Sequence, residues 1–231
     1  MISLRKIYLA DYGVWEQVER LYADAFPRNE RRAECEMRRL AECGRLNVFA
    51  VVNLCAAEDA AGADSADCTG KAVVAVNTAN ATGTDGGMAA ATGEFGGTVG
   101  GTGNVAGGGE FCGFITWWDF GGFVYGEHFA MLPECRGAGI GGEVIGRFVA
   151  DAGKPVVLEV ELPTNDMARR RIGFYERHGF AVCDADYAQP PYDAGGECVP
   201  MRLMSHGMSL DAEEFERVRS ILYAEVYGVA E

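Results

Sequence analysis

The feature that most constrains the fold is a cluster of glycines between an apolar strand and a helix. Phe123 to Met131 has the apolar, aromatic and β-branched character of a strand, and Arg136 to Gly142 follows it with four glycines in seven residues. The first N–H groups of a helix lack partners and carry partial positive charge, and glycines let a ligand approach the backbone closely. The pattern therefore predicts a backbone cradle for a diphosphate.

Other interpretations of this turn compete with the cradle. It can be an ordinary strand-to-helix turn that binds nothing. Gly137, Gly139 and Gly142 also match the GxGxxG dinucleotide fingerprint, with Glu159 near the position of the ribose-binding acid. In a dinucleotide site, however, the first glycine ends the first strand of an alternating βαβ series, whereas residues 133–136 intervene here. A P-loop is not indicated, because no Gly-Lys-Ser/Thr occurs.

The hydrophobic pattern of the whole chain predicts one mixed α/β domain over residues 1–205. Two strong strands, Phe111 to Trp118 and Phe123 to Met131, are joined by Asp119 to Gly122, whose glycines suit a tight hairpin. In chain order the elements read β, α, α, β, β, β, α, β, α, β, β. The predicted strands are residues 2–9, 48–54, 111–118, 123–131, 156–160, 180–187 and 198–204, and the predicted helices are 14–22, 28–43, 142–152 and 165–178.

Two of the predicted helices have a distinctive composition. Arg28 to Cys43 mixes Arg and Glu with few apolar positions, which predicts a mostly solvated surface helix. Residues 206–231 predict a C-terminal amphipathic helix packed on the domain, because Asp211 and Glu214 have the spacing of a capping box. The apolar side of that helix carries Phe215, Val218 and Leu222.

A long low-complexity segment interrupts the pattern at about residues 56–110. It consists mainly of Gly, Ala, Thr, Asp and Asn, which offer too little apolar surface to offset the entropy of ordering them. We interpret it as a loop inserted between two strands, in which only Lys71 to Asn77 could pair as a short strand. Lengthening a hairpin turn to this extent costs about 2 kcal/mol of closure entropy, so the sheet can tolerate it.

Composition excludes several classes of protein. A formal charge of −14 argues against nucleic-acid binding, although backbone N–H groups can still hold a nucleotide cofactor. There is no apolar run of membrane-spanning length and no secretory signal at the N-terminus, so we expect a cytoplasmic protein without a membrane partner. Eight scattered cysteines without a CxxC pair or a Cys/His cluster predict free thiols and no metal site. The sequence leaves open whether the protein forms a homodimer.

Three segments resemble the GNAT superfamily of acyl-CoA-dependent N-acyltransferases. Glu127 to Met131 followed by Arg136 to Gly141 is similar to the family's strand and its Q/R-x-x-G-x-G/A turn. Ile172 to Phe180 is similar to the helix-to-strand ending F/L-Y-E-K-x-G-F, and one helix and one strand separate the two motifs, as in the family. The resemblance covers about residues 110–205. It implies a mixed, mostly antiparallel sheet with one splayed parallel pair and helices on both faces.

The resemblance also implies acetyl-CoA as cosubstrate, held between the two splayed strands and by the glycine turn. Many relatives carry an Asn seven residues before the Tyr of the second motif, but that position here is Ala168, and Asn165 lies one turn earlier. The implied cofactor-binding residues are Phe129, Ala130, Met131, Arg136, Gly137, Ala138, Gly139, Ile140, Gly141, Gly142, Asn165 and Ala168.

Two side chains are candidates for the proton transfers of acetylation. An alkylamine has a pKa near 10.4 and must lose a proton before it attacks, so a base is useful at pH 7. Glu127 is the candidate base: strand alternation would place it on the face of Phe129 and turn His128 the other way. Tyr175 is the candidate acid toward the leaving thiolate. Because the ordinary pKa of Tyr, about 10, exceeds that of a thiol, about 8.5, complete proton transfer is uphill and a hydrogen bond to the developing thiolate is the favoured form of this role. Both can instead be ordinary structural residues, Glu127 as a solvated or salt-bridged strand residue and Tyr175 as a packed aromatic.

The acceptor is not specified by any motif. Glu30, Trp117, Glu161 and Tyr192 are the candidate acceptor-binding residues, although strand aromatics are more often core. Glu159 and Glu161 share a strand face and could attract a cationic amine, or they can simply be solvated. The leading hypothesis is transfer of an acetyl group to a primary amine of a small molecule or peptide, by direct attack. The alternatives are a non-catalytic acyl-CoA sensor and an NAD-binding oxidoreductase.

Overall fold

A mixed nine-stranded sheet organises the part of the chain that the computed structural model describes, which is residues 1–54, 75–76, 109–193 and 195–229. Its strands are β1 (Ile2–Lys6), β2 (Leu46–Asn53), β3 (Ala75–Val76), β4 (Glu110–Asp119), β5 (Val124–Met131), β6 (Val156–Glu161), β7 (Ala181–Val182), β8 (Tyr187–Gln189) and β9 (Val199–His206). The helices are α1 (Tyr12–Ala25), α2 (Glu34–Glu42), α3 (Ile140–Ala152), α4 (Asp166–Glu176) and α5 (Ala212–Ile221), which runs into a π-helical turn, Leu222–Val226.

The sheet is antiparallel except at its centre. The strand order is β1-β2-β4-β5-β6-β9-β7, with β8 also on β9, and only β5 and β6 run parallel. Their register covers Val124–Gly126 against Val156–Leu158, after which the two strands diverge. The splayed parallel pair and the mixed fold class are therefore confirmed.

A short strand, β3, pairs with β5 in the gap between β5 and β6. Ala75 and Val76 pair with Ala130 and Phe129 on the β5 edge that β6 has left. This is the short strand predicted within Lys71 to Asn77, and the rest of the predicted loop lies outside the described residues.

Helices cover both faces of the sheet, as predicted. One face packs against α1, α2, α5 and the C-terminal turn, around Trp15, Tyr22 and Phe114. The other face packs against α3 and α4, around Phe129, Phe148 and Tyr175. We call these the N-terminal face and the cofactor face. Burial of two apolar layers of this size is the main stabilising contribution to such a fold.

The helices after α1 differ from the sequence prediction in one respect. The segment 28–43 forms a short 3-10 turn, Arg28–Glu30, and only then α2. The expectation that it is mostly solvated is wrong in part, because Met37 and Leu40 are buried, and so are the charged residues Glu30 and Arg32. By contrast, the Asp211 cap of α5 is as predicted: its Oδ1 accepts a hydrogen bond from the N–H of Glu214 at 3.0 Å.

Candidate active site

The glycine turn leaves its N–H groups free. Gly137 and Gly139 have φ of 90° and 77°, a conformation that favours glycine, and α3 begins at Ile140. At the two ends of the turn, the Arg136 N–H donates to the Pro133 carbonyl at 3.2 Å and the Gly142 N–H donates to the Gly139 carbonyl at 3.0 Å. Within the described residues the N–H groups of residues 137–141 donate to no backbone carbonyl. Arg136 is tied back to β5, since its Nε donates to the Met131 carbonyl at 2.9 Å.

The space in front of this turn fits a ligand. A Cβ added at Gly139 would meet no atom within 4 Å, so the turn opens outward. At Gly142 a Cβ would lie 2.6 Å from His178 Nε2, just beyond the end of α4, so a larger residue would force the imidazole to move. The two glycines thus have different duties, and the free amides fit a diphosphate of a coenzyme.

This difference gives a prediction for Gly139→Val. The positive φ strains a β-branched residue, and its side chain would fill the open space, so we expect acetyl-CoA affinity to fall by roughly tenfold or more. Isothermal titration measures this. Gly146→Val is the matched control, because Gly146 is exposed on the same helix and also has free space for a Cβ. Undiminished affinity in Gly139→Val would show that the turn is not the cradle.

Tyr175 lies beside the gap between β5 and β6. Together with Gly126, His128, Phe129 and Leu158, it lines a small cavity where those strands diverge. Its ring is fully buried, and its hydroxyl has no hydrogen-bond partner among the described residues. Burial raises the pKa of Tyr175, partly offset by Arg171, so the hydroxyl keeps its proton at neutral pH. An unpaired buried hydroxyl costs about 1–3 kcal/mol, which a ligand atom in the gap would relieve.

A β-bulge determines where Glu127 points. Thr116 pairs with His128 and Trp117 with Gly126, which leaves Glu127 as the extra residue of β5. Glu127 and His128 consequently lie on the same N-terminal face, with His128 Nδ1 3.7 Å from Glu127 Oε2, whereas Phe129 lies on the cofactor face. The prediction from simple alternation, which put Glu127 with Phe129 and His128 opposite, is therefore wrong.

Glu127 is buried and saturated with donors. Its Oε1 accepts from Arg32 Nε at 2.8 Å and from the Tyr192 hydroxyl at 3.0 Å, and its Oε2 accepts from Trp118 Nε1 at 3.0 Å. Burial alone would raise the pKa of Glu127, but Arg32, His128 and Trp118 outweigh it and hold the pKa far below its ordinary value. Glu127 is thus ionised at neutral pH.

Arg32 connects this carboxylate to the C-terminus of the chain. Its Nη2 donates to the Val226 carbonyl at 2.6 Å, in addition to the bond from Nε to Glu127. The guanidinium also lies 4.6 Å from the ring centroid of Tyr192 and 5.2 Å from that of Trp118. The sequence prediction missed Arg32, because no spacing pattern pairs it with a residue 95 positions away.

A second buried carboxylate, Glu159, is surrounded by tyrosines. Tyr187 donates a short hydrogen bond to Oε1, and the Tyr227 hydroxyl lies 3.0 Å from Oε1 and 2.8 Å from Oε2. Tyr125 is 3.1 Å from the Tyr227 hydroxyl. Burial raises the pKa of Glu159 to about 7, although these hydroxyls lower it, and the charge of Glu127 adds to the rise. The sequence indicated Glu159 as the acid of the dinucleotide fingerprint or as a strand carboxylate that attracts a cationic amine or is solvated, and it did not indicate the tyrosines.

The remaining predicted residues are dispersed. Tyr192 joins the Glu127 cluster, and Glu30 contributes its carbonyl, 3.1 Å from His128 Nε2. Trp117 instead stacks on Phe49 at 4.1 Å, among side chains of the cofactor face. Glu161 forms an ion pair with Arg171 of α4.

Two predicted contacts to the pantetheine arm have structural roles here. Asn165 caps α4, because its Oδ1 accepts from the Ala168 N–H at 2.8 Å, and Ala168 itself is buried. Phe129, Ala130 and Met131 are all buried on β5 beyond its last pairing with β6. Their contacts with a coenzyme stay predictions.

The comparisons with known proteins agree with this geometry. The sequence profile of the acetyltransferase (GNAT) domain matches residues 102–182. A solved structure from Bacteroides thetaiotaomicron, assigned to the GNAT family as an acetyltransferase, is 30% identical over 99% of both chains, with a TM-score of 0.71. The chain belongs to the GNAT family of acetyltransferases. No curated protein sequence matches this GNAT chain.

More distant structures share the fold. NAA60 of Arabidopsis thaliana, solved with a bisubstrate analogue, is 16% identical over 90% of this chain and 100% of its own, with a TM-score of 0.51. The ribosomal-protein-S18-alanine N-acetyltransferase of Escherichia coli is 14% identical over 92% and 97%, with a TM-score of 0.50. In GNAT proteins the donor is acetyl-CoA, and the free amides, the splayed strands and the unpaired Tyr175 hydroxyl of this chain fit it.

Two other kinds of site are absent from the described ranges. None of the described helices is long and apolar enough to cross a membrane. No group of three or more His, Cys, Asp or Glu residues within residues 1–54, 109–193 and 195–229 could hold a metal ion.

Proposed function

We propose that this GNAT protein is an acetyl-CoA-dependent N-acetyltransferase that acts on a primary amine of a small molecule or peptide by direct attack. The observation that carries the proposal is the buried, unpaired Tyr175 hydroxyl beside the gap where β5 and β6 diverge. It lies where the sulfur of a thioester held along β5 would leave. Acetyl-CoA supplies the activated acetyl group; every other task falls to the chain.

Each part of the site has one task in this proposal. The amides of residues 137–141 bind the diphosphate, and the β5 edge near Phe129 orients the pantetheine arm. A β5 N–H polarises the acetyl oxygen, which gains negative charge during attack. Tyr175 donates a hydrogen bond, and then a proton, to the leaving sulfur. The role of Glu127 as base, predicted from sequence, stays a proposal, and its ion pair with Arg32 favours a positioning role instead.

Two assays test the proposed function. Thermal unfolding should be shifted upward by acetyl-CoA and by coenzyme A but not by NAD, because ligands stabilise only the fold that binds them. Thiol release should then be detected across a panel of primary amines. Binding of acetyl-CoA without thiol release from any amine would favour a non-catalytic sensor, and protection by NAD alone would favour an oxidoreductase.

The short strand β3 gives a prediction about the inserted loop. Since Ala75 and Val76 occupy the β5 edge near Phe129 and Ala130, the pantetheine arm would have to displace them. Deleting residues 58–108 leaves residues 54–57 and 109 to join β2 to β4, enough for a hairpin. We expect the variant to fold and to bind acetyl-CoA about as tightly as the full chain, or up to roughly tenfold more tightly. Loss of binding in titration calorimetry would mean that the loop contributes to the donor site.

A further inference from the structure

Two buried carboxylates lie where the parallel strands diverge, and they have opposite surroundings. The last paired residues are Gly126 and Leu158, and the next residue on each strand is Glu127 or Glu159. Both side chains lie on the N-terminal face and are 1% exposed. Glu127 is neutralised by Arg32, whereas Glu159 has no cationic partner within the described residues and is held by hydroxyl groups. Of the two carboxylates, Glu159 is therefore the one whose negative charge a bound cation could neutralise.

The group that covers Glu159 comes from the end of the chain. Tyr227 follows the π-helical turn Leu222–Val226, and its hydroxyl lies within 3.0 Å of both carboxylate oxygens. An ammonium nitrogen in that place would make the same two contacts as charge-assisted hydrogen bonds, which are stronger than those of a neutral hydroxyl.

We propose that Glu159 is the residue that takes the proton from the acceptor ammonium, and that the Tyr227 hydroxyl stands where that ammonium binds. This inference rests on the proposed function and names the acceptor class as a primary alkylammonium. The C-terminal segment then has to swing aside for the amine to enter.

The proton balance is simple. The ammonium transfers one proton to the Glu159 carboxylate and becomes a neutral amine, whose lone pair forms the bond to the acetyl carbon. The carbon–sulfur bond then breaks, and the sulfur takes the proton of the Tyr175 hydroxyl. The attacking nitrogen gives its second proton to the Tyr175 oxygen, which restores the hydroxyl. Glu159 finally releases its proton to solvent, so that the net products are an amide, a thiol and one proton.

Glu127 is less suited to this step. Protonation of Glu127 would break its ion pair with Arg32 and leave the positive charge of the buried guanidinium without a counter-charge, which is strongly unfavourable. A pKa raised to about 7 supports Glu159, because a base titrating near neutrality combines availability with driving force. The titratable groups around Glu159 are Tyr125 and Glu127 of β5, Tyr187 of β8, Tyr192 of the following loop, and Tyr223 and Tyr227 of the C-terminal segment.

Kinetics over a range of pH test the proton acceptor. With a primary amine that the wild-type protein acetylates, kcat/KM should rise through about pH 7 as Glu159 ionises. Glu159→Gln should lose that inflection and about 100-fold in kcat at pH 8, with acetyl-CoA affinity unchanged.

Tyr227→Phe should keep the inflection and lower the KM for the amine about threefold, because the bound hydroxyl no longer competes with the amine. Glu19→Gln and Tyr12→Phe, both on α1, are the controls.

Calorimetry with butylamine provides a readout independent of turnover. At pH 6 Glu159 is mostly protonated, so an ammonium that pairs with it should expel about one proton, detected by comparing two buffers of different ionisation enthalpy. Glu159→Gln should expel none. If wild type acetylates amines but Glu159→Gln keeps its pH profile and proton release, the assignment of Glu159 is wrong while the proposed function stands. A higher amine KM in Tyr227→Phe would make Tyr227 a wall of the site, not a substitute for the amine.

Discussion

Replacing Tyr175 by Phe is expected to lower turnover by about tenfold or more, with little change in acetyl-CoA affinity. The substitution removes the one hydroxyl that lines the gap between β5 and β6 and has no partner among the described residues. The leaving sulfur would then have to depart as an unprotonated thiolate. Steady-state kinetics together with titration calorimetry separate the two effects.

The same variant should not lose stability. The buried hydroxyl of Tyr175 makes no hydrogen bond among the described residues, so replacing it by Phe removes a desolvation cost. We expect the free energy of unfolding to stay equal or to rise by up to about 1 kcal/mol. Tyr12→Phe, at a tyrosine that is 70% exposed, should change neither property. Wild-type turnover in Tyr175→Phe would remove Tyr175 from the mechanism.

Replacing Arg32 by Ala is expected to destabilise the protein by about 3–5 kcal/mol at pH 7. The guanidinium neutralises the buried Glu127, bonds the Val226 carbonyl and lies against two aromatic rings, so its removal leaves a charge uncompensated and frees the C-terminal segment. Urea denaturation measures the difference. Arg38→Ala is the matched control: Arg38 pairs with Glu19 where the two side chains are 33% and 16% exposed, and the expected loss is about 1 kcal/mol.

The effect of Arg32→Ala should depend on pH. The folded-state pKa of Glu127 is lowered, so its ion pair stabilises the protein above the ordinary pKa of 4.5, and this contribution is lost as the pH falls below it. In Arg32→Ala the carboxyl is already unfavourable when charged and gains from protonation. The gap between wild type and variant should therefore shrink progressively as the pH is lowered from 7, first as the carboxyl of the variant takes up a proton and then as that of the wild type does. A gap that is constant with pH would show that lost packing, not charge, is responsible.

Most of the fold was predictable because short contiguous stretches of the sequence determine its strands, turns and helices. The apolar runs of β4 and β5, the Gly turn between them and the glycine cluster before α3 are all contiguous in sequence. The resemblance to the GNAT motifs added the mixed sheet with its splayed parallel pair. Solvation of the segment 28–43 was mispredicted because local composition cannot report a distant partner: Arg32 is buried against residues 95 and 194 positions away.

Sequence motifs indicate only the candidate donor site. The free amides of the glycine turn and the position of Tyr175 follow from motifs, but the surroundings of Glu127 and Glu159 depend on a bulge and on long-range packing. A single extra residue in β5 turns Glu127 to the N-terminal face, which strict alternation cannot anticipate. The tyrosines around Glu159 come from β5, β8 and the C-terminus, and only the three-dimensional fold assembles them.

A crystal structure with coenzyme A tests the central claim most directly. We predict the diphosphate at about 3 Å from the N–H groups of residues 137–141, the pantetheine arm along β5 in place of β3, and the sulfur within hydrogen-bonding distance of the Tyr175 hydroxyl. Coenzyme A bound elsewhere on the molecule, or bound with β5 and β6 paired along their whole length, would contradict the account.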